Sequence, residues 1–216
     1  MRGSFEHACQ LLTSYFTEVR LVDSNLVFDI QTTICKDKRF TRSFWCFGSP
    51  KKTYKLFRPV VVIDGTFLKE RYRGTLLIAI TIDPSNHIFP LAFLITDSKT
   101  TESWTYFLEM FEFNFHGYDT RFVVTFDRNA GIINVVPKVF SFAIHTFCAS
   151  HISNNLKTTL ESMRMAAEAL TNINFDKHMN VIRNIDPVGL QYILGIPKEK
   201  WYNLYIPMSR YVITLY

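Results

Sequence analysis

The chain has 216 residues, 48% hydrophobic and 15% aromatic, with 24 Lys+Arg against 19 Asp+Glu for a formal net charge of +5. That length and apolar content suit one domain with a full core and a small appendage, and they exclude a disordered chain. No apolar run approaches the roughly 18 residues that span a bilayer, and MRGSFEHACQ lacks the apolar stretch of a signal peptide, so an intracellular protein with no membrane partner is expected.

In chain order, residues 5 to 19 (FEHACQLLTSYFTEV) set Leu11, Leu12, Tyr15, Phe16 and Val19 at helical spacing and predict an amphipathic helix. LVFDIQTT and RFTRSFWCFG read as two strands joined by the polar turn CKDK. SPKKTYKLFRP, with a proline at each end, reads as a connector. The whole charge excess lies in this part: residues 1 to 60 carry 10 Lys+Arg against 5 Asp+Glu, and residues 61 to 216 carry 14 of each. Lys36, Lys38, Arg39, Arg42, Lys51, Lys52, Lys55 and Arg58 are interleaved with aromatics. That mixture suits a phosphate backbone and its bases, and it equally describes a solvated face over an aromatic core.

From Pro59 onward FRPVVVIDGTFLK, GTLLIAITID and HIFPLAFLITD form three strands separated by the short breaks RYRG and PSN, an antiparallel meander. TTESWTYFLEMFEF shifts to helical period, with Trp104, Phe107, Leu108 and Phe111 on one face, Thr100 or Thr101 as N-cap and Glu102 in the first turn. RFVVTFD is a fourth strand, AGIINVVPKVF a helix-like stretch, FAIHTFC a fifth strand, and ASHISNNLKTTLESMRMAAEAL one long helix. Short helices broken by Pro187, Gly195 and Pro197 follow. The order β-β-β-α-β-α-β-α is an α/β layered architecture with a mixed sheet.

Asp64 and Asp127 each end an apolar strand. If the fourth strand pairs parallel beside the first, both carboxylates emerge at one sheet edge, where like charges repel unless a cation lies between them. A pair of divalent ions on hard oxygen ligands is one solution, and it serves in-line phosphoryl displacement. The bland reading is that each Asp caps a turn or the following helix. Cys148 and His151 form a C-x-x-H pair open to three readings: packing, an active-site or nucleic-acid contact, or half of a metal site that needs further ligands. His145 and Trp104 read as core, and Arg128 as a phosphate contact or a surface ion pair. None of the four cysteines, Cys9, Cys35, Cys46 and Cys148, forms a C-x-x-C pair, which argues for reduced thiols.

The segments from FRPVVVIDGTFLKERYRGTLLIAITID through HIFPLAFLITDSKTTESWTYFLEMF and FDRNAGI to HTFCASHISNNLK, in that order, resemble the transposase domain of Mutator-like elements (MULE). These are cut-and-paste DNA transposases of the DDE type with an RNase H-like core. The lead-in FEHACQLLTSYFTEV and the later TNINFDKHMNVI and PKEKWYNLYIP also resemble family segments. The resemblance implies an RNase H-like five-stranded mixed sheet over residues 59–160, a basic α-β-β lead-in over 1–58 and a helical insertion over 161–216. It implies that Asp64 and Asp127 are the first two members of a catalytic and metal-binding triad that holds two Mg²⁺ or Mn²⁺ ions. Cys148 and His151 match a family signature, and the partner would be transposon-end or target DNA in the nucleus, with a homo-oligomer compatible. The third acid of the family, a glutamate beyond a stretch like SRYVIT, has no counterpart before Tyr216, and Glu161, Glu168, Asp176 and Glu199 do not stand at its place. A weak or inactive catalyst is therefore expected, with a domesticated, non-catalytic DNA-binding or regulatory protein as the alternative.

Overall fold

The computed structural model describes residues 5–32, 40–53, 56–69, 74–115, 122–154, 156 and 160–206. The predicted CKDK turn, most of the RYRG break, the SRYVIT stretch and the basic residues Lys36, Lys38, Arg39 and Lys55 lie outside them. The elements are α1 (Phe5–Val22), β1 (Val27–Thr32), β2 (Phe40–Cys46), α2 (Gly48–Thr53), β3 (Val60–Phe67), β4 (Thr75–Ile82) and β5 (Ile88–Thr96). After them come α3 (Thr101–Asn114), β6 (Val123–Phe126), α4 (Ala130–Ile133), α5 (Val136–Val139), β7 (Ile144–Phe147), α6 (Ala149–Ser153), α7 (Leu160–Glu168), α8 (Asn172–Ile185) and α9 (Pro187–Leu194).

The architecture is α/β with one mixed sheet in the order β1-β2-β5-β4-β3-β6-β7. The meander β3-β4-β5 is antiparallel, while β6 pairs parallel to β3 and β7 parallel to β6. The five predicted strands are all present, but the sheet has seven. The lead-in hairpin, expected to stand apart, pairs antiparallel onto β5 from Arg42 opposite Thr96 to Trp45 opposite Phe93. The reason is that β5 otherwise ends the sheet with open amides and carbonyls. The Trp45 and Phe93 rings stack across the join at 5.0 Å, adding a cross-strand aromatic pair.

β3 has no polar alternation because it is covered on both sides. Val61 and Ile63 enter the main core with Leu77, Leu94, Val124 and Phe126, while Val60 and Val62 pack on the opposite face with Val123. The main core is closed by α3, whose Trp104, Phe107, Leu108 and Phe111 are buried as the helical spacing predicts. A separate apolar cluster, running from Ala149 and Ile152 through Met163, Phe175 and Ile193 to Tyr202, holds α6 to α9 together.

Three local expectations change. Part of the connector is the helix α2, which starts where Gly48 N–H donates to the Asp23 carboxylate at 2.6 Å. The stretch 130–140 is two short helices, because Pro137 lacks an N–H and clashes one turn back. The expected long helix from residue 149 ends at Ser153. There Ser153 Oγ donates to the Ser150 carbonyl at 2.7 Å, a local side-chain bond that competes with helix continuation, and α7 begins separately at Leu160.

Thr100 is the N-cap of α3, its hydroxyl accepting from Ser103 N–H at 3.2 Å. Thr100→Ala should cost about 1 kcal/mol in chemical denaturation. Among the described residues no helix is long and apolar enough to cross a membrane.

Candidate metal centre

Ile63 is in register with Phe126 on the parallel pair β3/β6, and Phe126 with Phe147 on β6/β7. The next residue of each strand, Asp64, Asp127 and Cys148, therefore reaches the same rim, the carboxyl end of the parallel block, where ligands of open α/β sheets bind. Cys148 N–H donates to the Phe126 carbonyl at 3.0 Å and fixes the third of these. α6 starts there, so His151, three residues on and on the same helix face, points back to the aspartates.

His151 Nε2 lies 3.4 Å from Asp64 Oδ1. One ligand atom from each of Asp64, Asp127 and His151 falls within a 4.8 Å span. Among the described residues this is the group of Asp, Glu, His and Cys side chains that could hold a metal ion. Asp127 Oδ1 accepts from Asn129 N–H at 3.1 Å and so ties down the turn after β6, whereas Asp64 does not end its strand, since β3 runs on to Phe67, and its Oδ1 accepts from the next strand residue, Gly65 N–H, at 2.7 Å. The helix cap proper is Asn129, whose side chain accepts from Gly131 N–H at 2.8 Å. The capping and metal readings are thus compatible for Asp127, while Asp64 caps neither a turn nor a helix.

The donor chemistry suits a divalent cation. Mg²⁺ with ligands at about 2.1 Å spans at most about 4.2 Å between opposite donors, so the three donors need only a small contraction to share one. A ring nitrogen beside two carboxylates also suits Mn²⁺ or another transition ion.

Cys148 and His151 interact across the first turn of α6. The bond from Cys148 raises the His151 pKa, burial opposes it, and the charges of Cys148, Asp64 and Asp127 raise it further. Burial pushes the Cys148 thiol up, but its bonds to His151 outweigh that and leave it below the usual thiol value. Burial pushes the Cys46 thiol up to about 11, against a smaller downward pull from Lys51. Both are free thiols.

Lys99, which carried no pattern in the sequence, is also at this rim. Its Nζ is 3.9 Å from Asp127 Oδ2, with the two side chains only 15% and 13% exposed, and it stands 5.3 Å from the centre of the Phe67 ring. The signal was topological: the third strand of a meander runs in the direction of the first, so the residues that follow β5 emerge beside Asp64.

The described basic residues divide between the two ends of the sheet. Arg42 is near the rim, paired with Glu102 at 2.6 Å and lying over the Tyr106 ring at 4.9 Å. Lys51 follows the other end of β2 and donates to Asn114 Oδ1 at 3.1 Å, Lys52 is exposed beside it, and Arg58 precedes β3. Arg128 lies over the rings of Phe147 and Tyr192, at 5.8 and 5.2 Å from their centres, in cation–π contact. His145 Nε2 bonds the Phe140 carbonyl at 2.7 Å, and Trp104 is fully buried, so both are structural. Glu161 pairs with Arg164 on the surface of α7 at 2.5 Å, and Glu168 pairs with the same arginine at 3.3 Å. Asp176 and Glu199 are exposed.

Residues 60–155 match the family model of the MULE transposase domain. Protein FAR1-RELATED SEQUENCE 5 of Arabidopsis thaliana is 23% identical over 187 residues, covering 85% of this chain and 23% of that protein. The chain thus spans about a quarter of the length of this relative.

Proposed function

We infer, on the premise that residues 60–155 belong to the MULE transposase domain family, that the rim of Asp64, Asp127 and His151 is a divalent-cation centre of an RNase H-like transposase core that works on DNA phosphodiesters. The observation that carries this is the convergence of two carboxylates and an imidazole within 4.8 Å at the carboxyl end of parallel strands. The strand order β5-β4-β3-β6-β7, with three antiparallel strands followed by two parallel ones, supports the RNase H-like reading.

Asp64, Asp127 and His151 would hold Mg²⁺ or Mn²⁺. When bound, such an ion supplies charge stabilisation for the attacking and leaving oxygens of a phosphoryl transfer. The chain's own part is orientation. The Gly65 and Asn129 amides lock the two carboxylates in place, and the start of α6 at Cys148 turns the His151 ring toward Asp64. Among the described residues no third carboxylate joins the group, so cleavage by this span is expected to be weak even where DNA and cation bind. DNA would approach the rim near Arg42, in the nucleus.

Calorimetric titration with Mn²⁺ tests the reading. Saturable binding should weaken by about a hundredfold or more in Asp64→Asn, since even changes in groups that only orient metal ligands cost 10–100-fold. Duplex binding, followed by fluorescence anisotropy, should fall steeply with salt. An Asp64→Asn isotherm that overlays the parent's would sink the cation centre and favour a DNA-binding module without chemistry.

A further inference from the structure

We propose that Lys99 is a resident cation of this rim, a positioning residue standing where a second metal ion would otherwise balance the charge, so that the Asp64–Asp127–His151 centre takes a single divalent ion. The inference rests on the cation-centre reading above and adds to it the stoichiometry and the residue that sets it.

Three independent features hold the Lys99 ammonium in place. Its Nζ faces Asp127 Oδ2 at 3.9 Å, and both side chains are largely withdrawn from water, so the attraction is little screened. The face of the Phe67 ring lies 5.3 Å away. Gly65 leaves the room: a Cβ there would stand 2.9 Å from Lys99 Cε and 3.4 Å from Nζ. The Asp-Gly pair that ends the apolar run of β3 therefore does two things, offering a carboxylate at 64 and clearing a path for the lysine at 65. The backbone is fixed as well, because Lys99 immediately precedes Thr100, the N-cap of α3.

The two aspartates are thereby balanced unequally. Asp64 is 42% exposed and faces His151, a group that ligates a cation through its neutral ring. Asp127 is 13% exposed and faces an ammonium, which has three donors and no lone pair and so never ligates. One cation can lie among Asp64, Asp127 and His151. A second ion on Asp127 would also meet the buried Lys99 ammonium, and like charges withdrawn from water repel strongly.

Mn²⁺ binding to the whole chain, read by electron paramagnetic resonance of the free ion and by calorimetry, decides the matter without reference to activity. The parent should bind one ion per chain. Lys99→Gln and Lys99→Met should each bind two, or bind one at least about tenfold tighter as the repulsion is relieved, and Lys99→Arg should return to the parent's behaviour. Melting curves identify any variant that fails to fold, and Lys99→Met preserves side-chain length should Lys99→Gln do so. Two ions in the parent, or Gln and Met variants that match the parent in both number and affinity, overturn the role of Lys99 and leave the cation centre standing. No ion in any of the proteins overturns the centre itself and this inference with it.

Discussion

Trp104→Ala is expected to lower the unfolding free energy by about 3–5 kcal/mol and the melting temperature by roughly 6–20 °C, as read by denaturant titration and calorimetry. The indole is fully buried and edge-on to Phe107 at 6.3 Å. Among the described residues its N–H has no hydrogen-bond partner, so its contribution is packing alone and its loss leaves a void rather than an orphaned acceptor. Neighbouring atoms cannot readily collapse into that void. Trp104 is on the first turn of α3, whose start is pinned by the Thr100 cap, and its Cδ1 abuts the backbone at Gly131. Against the 5–15 kcal/mol typical of folded domains, the loss is a large fraction of the total.

Gly131→Val should destabilise by roughly 3 kcal/mol, the upper part of the usual overpacking range, and should weaken Mn²⁺ binding as well. A Cβ at 131 would stand 2.9 Å from each of Asn129 Oδ1, the Lys99 carbonyl oxygen and Trp104 Cδ1. None of the three is a flexible side-chain tip. One is the α4 cap, one is backbone, and one belongs to the rigid indole just described. Relief must come by moving the 99–100 segment or the 127–129 turn, and these carry the Lys99 ammonium and the Asp127 carboxylate. A variant that loses stability while keeping parental Mn²⁺ affinity would show that the rim tolerates such a shift. Gly131→Ala should fall between the two proteins in both measurements.

The sequence made much of this region readable because its signals are local. Val60 to Ile63 could only be a strand covered on both faces, Thr100 had the side chain and the position of an N-cap, and short breaks forced the meander. Once the fourth strand lay parallel to the first, Asp64 and Asp127 had to share an edge, and the register confirms that they do. The C-x-x-H pair is open to three readings in sequence. His151 reaches the aspartates, whereas Cys148 is buried and bonds to His151. Non-local facts were not readable. The pairing of β2 with β5 joins segments about 50 residues apart and depends on which edge is left open, and no pattern within either strand encodes that. A lone lysine such as Lys99 gives no periodicity to detect. The helix break at Ser153 turns on a side-chain bond that competes with a helical signal strong on both sides.

The hairpin on β5 also bears on how the domain can be handled. A fragment cut to the family-matching span would begin at Val60 and leave Ile88–Thr96 as a long apolar border strand with bare amides and carbonyls. Such borders recruit further chains and seed aggregates. Soluble material from the transposase-like span would therefore need Val27–Cys46 kept in the expressed piece, as a built-in guard against self-association.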